Sequence, residues 1–70
     1  MRKIKKVIGQ KIKYARMDSE LTQEELASRA KVSTFTVSTI ENGKVYPKIP
    51  NLIKICKVLN VKLVDLFEGF

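Results

Sequence analysis

The chain has 70 residues, with 14 Lys and Arg against 7 Asp and Glu and no His, for a net charge of +7. That length holds one small domain, and so short a chain buries only about 60% of its extended surface, so it gains from a partner. The 44% of apolar residues is enough for a core, while one cysteine and no histidine argue against a disulfide scaffold, a zinc site, and enzymes needing His, zinc or a nucleophilic Cys.

The first 16 residues carry seven bases (Arg2, Lys3, Lys5, Lys6, Lys11, Lys13 and Arg16) and no acid. Only Val7 and Ile8 follow the basic start before Gly9, which is no signal peptide. No apolar run approaches the roughly 20 residues that span a bilayer, so a cytoplasmic protein without a membrane partner is expected. Ile4, Val7, Ile8, Ile12 and Ala15 lie at helical spacing and predict a first helix, with Arg2 to Lys6 either its frayed start or an arm that seeks a DNA groove. Asp18-Ser19-Glu20 breaks the period. Thr22 and Glu25 then fit a capping box, with Leu21 and Leu26 as a hydrophobic staple. A second helix is expected over about 22–30, facing inward through Leu26, Ala27 and Ala30.

The run from Ser33 to Thr39 is β-branched and hydroxyl-rich, and alone it resembles a strand. Val32, Val37 and Ile40 are nevertheless spaced for one helical face, Ser33 can cap it, and Asn42-Gly43 supplies a left-handed stop. A short helix over about 33–42 follows. After a loop turned by Tyr46-Pro47, Pro50 fits only a first helical turn, so a fourth helix starts near 48–50. Leu52, Ile53, Ile55, Cys56 and Leu59 form its apolar face and Asn60 its stop, with Cys56 expected as a buried, inert thiol. Val61, Leu63, Leu66 and Phe67 make a last short helix. The expectation is one all-α domain over 1–70, with five helices and no strand.

A helix from Thr22, a turn at Lys31-Val32 and a helix from Ser33 form a helix-turn-helix pattern. Ala27 permits close packing, and Val32, Val37 and Ile40 fill the angle. Thr34, Phe35, Ser38 and Thr39 are left to enter a major groove. The stretch from Val32 to Ile40 has no charged residue in a chain that is 30% charged. Phe35, two positions before the inward Val37, is expected to be exposed.

Three segments, LTQEELA from Leu21, VSTIENGK from Val37 and ICKVLNV from Ile55, resemble the lambda-repressor-like, Cro-type (Xre) helix-turn-helix family from about Ile8 to Phe67. The resemblance implies a compact five-helix DNA-binding domain that works as a two-fold dimer on a palindromic operator. It places Thr34, Phe35, Ser38 and Thr39 at base edges, and Gln23, Asn42, Lys44 and Lys48 on phosphates, with Thr36 touching backbone or assisting at the bases. It further implies an Arg16–Glu41 salt bridge between the first and third helices, and a dimer contact through Leu63, Leu66, Phe67 and Phe70. Glu20, Lys31 and Asn60 stand where the family often has a left-handed Gly. Asn60 tolerates that conformation, but Glu20 and Lys31 would each lose roughly 1 kcal/mol or more, so slightly reshaped turns are expected.

The reading face lacks the Arg or Asn forks that grip guanine or adenine, which points to A·T pairs read by hydroxyls and methyl contacts. The sequence thus predicts a non-enzymatic transcriptional regulator of double-stranded DNA, of repressor type, with no cofactor and no small-molecule ligand. No length is left for a sensing domain, so control is expected from concentration, dimerisation or a partner protein. The rival reading is an antitoxin or adaptor whose main task is protein–protein interaction. Tyr46 either stacks on sugar–phosphate or covers its loop.

Overall fold

The computed structural model describes residues 4–68, which form four α-helices and a terminal 3-10 helix with no strand among them. α1 (Ile4–Asp18) buries Ile8 and Ile12, with Ile4 and Ala15 packed at the margin. Gly9 is buried where α1 crosses the end of the third helix. A Cβ there would lie 2.2 Å from the Ile40 carbonyl oxygen and 2.9 Å from that of Glu41. Only glycine allows this backbone approach.

α2 (Gln23–Ala30) opens with the full capping box. The Glu25 amide donates to Thr22 Oγ1 at 3.0 Å, and the Thr22 amide donates to Glu25 Oε1 at 2.9 Å. α3 (Thr34–Glu41) begins at Ser33, whose Oγ accepts from the Thr36 amide at 3.0 Å. That cap, with burial of Val37 and Ile40 in the core, overrides the strand propensity of the run. At its end Gly43, at φ 69°, takes the left-handed position alone, because Asn42 stays right-handed at φ −80°.

α4 (Ile49–Leu59) carries Pro50 in its first turn and buries Leu52, Ile55, Cys56 and Leu59. Ile53 leaves the expected apolar face and is 40% exposed, because it falls outside the i, i+3, i+4, i+7 stripe of the buried four. The expected fifth helix is instead a 3-10 helix, Leu63–Phe67. Five residues close too few i→i+4 bonds to sustain an α-helix, and the Lys11 ammonium holds the segment by donating to the Asp65 and Glu68 carbonyls at 3.0 and 2.9 Å.

The turns at Glu20 and Lys31 are not reshaped. Glu20, Lys31 and Asn60 adopt φ 59°, 57° and 57°, the conformation otherwise given to glycine. Each turn repays the strain in backbone hydrogen bonds: Glu20 and Leu21 amides return to Met17 and Arg16 carbonyls, and the Val32 amide to Ala27, at 2.9, 3.2 and 3.0 Å. No helix among the described residues is long and apolar enough to cross a membrane.

Candidate nucleic-acid interface

α2 and α3 meet across buried Ala27, and half-buried Val32 packs against the core from the turn between them. The inward side of α3 is filled by Val37 and Ile40, which turns Thr34 and Phe35 outward. Phe35 is 75% exposed, an unusual place for a phenylalanine. Ser38 and Thr39 lie half-buried one turn further along.

Hydrogen bonding gives two hydroxyls on this face, those of Thr39 and Ser38, a direction. Thr39 Oγ1 donates to the Thr36 carbonyl at 3.1 Å, so it offers lone pairs and a methyl outward. Ser38 Oγ accepts from Asn42 Nδ2 at 3.4 Å and keeps its proton to donate. Thr36 is half-buried, its hydroxyl 2.8 Å from that of Ser33. Beside Phe35 a groove of about 280 Å³ runs between α3 and the following loop, with Thr39, Val45, Tyr46 and Lys48 on its walls. Val45, 41% exposed there, carried no sequence signal, because a lone valine in a polar loop has no period to reveal its direction.

Behind this face, Glu41 ties three helices together. Arg16 donates from Nε to Glu41 Oε2 at 2.6 Å and from Nη2 to Oε1 at 3.0 Å, and its Nη1 donates to the Leu21 carbonyl at 2.7 Å. The Glu41 side chain is 1% exposed, so this is a buried, two-pronged ion pair. The hydrogen bonds to Glu41 raise the pKa of the Arg16 guanidinium above its ordinary value. Half-buried Gln23 at the start of α2 donates Nε2 to Glu41 Oε1 at 3.0 Å, which uses one of its two amide hydrogens. Asn42, Lys44 and Lys48 are exposed at the end of α3 and in the loop that follows it. The Lys5 ammonium sits 5.1 Å from the centroid of the exposed Tyr46 ring, a cation–π contact between α1 and the loop after α3.

Of the residues expected at a dimer contact, Phe67 is exposed and Leu63 half-buried against the core. Leu66 is a correction: at 3% exposure it completes the chain's own core, because the 3-10 helix rotates it inward under α1 and α4. Phe70 lies outside the described residues. Cys56 is buried, and desolvation pushes its thiol above the ordinary value, which keeps it protonated.

A short capped helix, a left-handed turn and a second helix presenting an uncharged outer face make this a helix-turn-helix protein. Residues 12–66 match the helix-turn-helix family HTH_3. The chain is 44% identical over 57 residues to the uncharacterized HTH-type transcriptional regulator MJ0272 of Methanocaldococcus jannaschii, covering 81% of this chain and 86% of that one. Among solved structures, the clp gene regulator ClgR of Corynebacterium glutamicum superposes with TM-score 0.85 at 25% identity, over 91% of this chain and 68% of that one. A tyrosine-to-phenylalanine mutant of the restriction–modification controller protein C.Esp1396I gives TM-score 0.82 at 31% identity, over 93% and 82%. The chain therefore belongs to the lambda-repressor-like, Xre-type helix-turn-helix family, a family of transcriptional regulators rather than enzymes.

Proposed function

We infer that this protein is a sequence-specific, repressor-type transcriptional regulator of the cytoplasm that binds a palindromic operator as a homodimer. The observation that carries the reading is the outer face of α3. Thr34, Phe35, Ser38 and Thr39 lie on a helix held by the Glu41 ion pair, with Asn42, Lys44 and Lys48 exposed at its end and in the following loop. In this reading the face enters the major groove. Gln23, Thr36, Asn42, Lys44 and Lys48 take phosphates, and the phenyl ring and threonine methyls meet thymine methyl groups. The exposed Val64 and Phe67, with Ile49 at 50% exposure, supply apolar surface for a second copy.

Selection of bound duplexes from a random pool tests this. Enrichment of a palindrome with A·T pairs under α3 is the expected result, and uracil in place of those thymines should weaken binding about tenfold by removing the methyl groups. A pool that stays random at low salt overturns the regulator reading. A strict G·C requirement at those positions overturns the base-reading part alone.

A further inference from the structure

We propose that Lys11 is a positioning residue: it fixes the terminal 3-10 helix against α1 and so sets which half-site spacing a dimer accepts. The proposal rests on the dimer reading above, in which Val64 and Phe67 face a second copy. Within Leu63–Phe67 Leu66 is buried, Leu63 is half-buried, and Val64 and Phe67 are exposed. No side chain caps the start of this helix, and its last turn carries no basic residue. Its end runs into extended backbone at Glu68 (φ −70°, ψ 142°). The cation at that end comes from α1. Lys11 is half-buried, and its ammonium donates to the Asp65 and Glu68 carbonyls at 3.0 and 2.9 Å, where a helix end favours a cation.

Apolar packing is non-directional, so Leu66 and Leu63 hold the segment down without fixing its roll. The hydrogen bonds of Lys11 are directional and reach carbonyls at both Asp65 and Glu68, so they fix that roll and with it the heading of Val64 and Phe67. α1 carries the setting to the reading helix. Gly9 and Lys11 lie about 200° apart around a helix of 3.6 residues per turn, on nearly opposite sides of α1. At Gly9 the α1 backbone meets the Ile40 and Glu41 carbonyls of α3, and at Lys11 it holds the 3-10 helix. Arg16 locks α1 further to Glu41. The dimer face is therefore tied to α3 through one helix. Moving a half-site by one base pair turns it about 35° around the duplex, which a fixed dimer face cannot follow.

The test compares Lys11→Met, which keeps the stem and removes the ammonium, with Lys11→Arg, which keeps charge and donors. Lys54→Met repeats the loss of one charge at an exposed site on α4. The probes are the selected palindrome, versions with the half-sites moved by one or two base pairs, and a duplex with a single half-site. The unsubstituted chain, Lys11→Arg and Lys54→Met should each lose at least about tenfold in affinity when the spacing moves by one base pair. Lys11→Met should lose less than about threefold, while binding the single half-site like the unsubstituted chain. Its amides over 63–67 should exchange about tenfold faster, with those of α2 and α3 unchanged. A retained spacing profile in Lys11→Met, the same flattening in Lys11→Arg or Lys54→Met, or faster exchange throughout the chain overturns this proposal and leaves the dimer reading standing. An unsubstituted chain that binds the single half-site as tightly as the palindrome overturns both.

Discussion

Glu41 is a carboxylate nearly sealed from water, and two side chains from two other helices converge on it. Removing one member of such a pair leaves its partner desolvated and uncompensated, typically at about 3–5 kcal/mol when both are deeply buried. Arg16 retains some exposure, so Glu41→Ala should lose about 3 kcal/mol in urea unfolding. An Arg16→Met/Glu41→Leu double variant should recover part of it, and equal losses in single and double variants would contradict the pairing. Phe35 is the opposite case. Its ring touches little of its own chain, so Phe35→Ala should change stability by no more than about 0.5 kcal/mol. Affinity for the selected duplex should nevertheless fall at least tenfold in a titration, and unaltered affinity would remove Phe35 from the reading face.

The helices are individually short, and their ends and crossings decide whether they persist. α1 packs backbone to backbone against the end of α3 at Gly9. Gly9→Ala would raise intrinsic helix propensity by about 1 kcal/mol, yet the new methyl cannot fit beside the Ile40 and Glu41 carbonyls. Net destabilisation of about 1–3 kcal/mol is expected, as in other overpacked sites. A higher melting temperature for that variant would refute the close crossing. At the start of α2 the Thr22 backbone and hydroxyl hold the Glu25 carboxyl below the usual carboxylate range. A lowered folded-state pKa means the ionised form stabilises the helix above the unfolded value, and the gain disappears as pH falls through the folded one. The melting difference between the unsubstituted chain and Glu25→Ala should therefore be largest near neutrality and shrink below about pH 4; a difference that grows on acidification would contradict it.

At the scale of the whole molecule, the proposed reading of a basic domain without Arg or Asn forks on α3 requires most of the DNA affinity to come from phosphates. Cationic side chains that neutralise roughly 3–4 phosphates per subunit would give a dimer a salt slope near −6, and a slope shallower than about −3 would mean that the basic surface is not the binding surface. Sedimentation with the selected duplex should find two copies per site, with the two α3 helices about one DNA turn, roughly 34 Å, apart. A single copy per duplex at high micromolar concentration would remove the dimer. Because Leu66 belongs to the monomer core, substitutions that split the dimer without unfolding it should map to Phe67 and Val64.

Much of this was determined by the sequence itself, since the signals are local. The Thr22–Glu25 box, the Ser33 cap, Pro50 and the apolar spacings act within one or two helical turns, and they placed α2, α3 and α4 within a residue or so. The exposure of Phe35 followed from the same periodicity. Tertiary packing decided what no local pattern encodes. It rotated Leu66 inward and Ile53 outward, and shortened the last element to a 3-10 helix. It also used Gly9 as a crossing point, held Glu20 and Lys31 in a left-handed conformation, and turned Lys11 onto the terminal 3-10 helix. Each of these depends on partners far away in the chain, whose positions are fixed only when the helices close around a shared core.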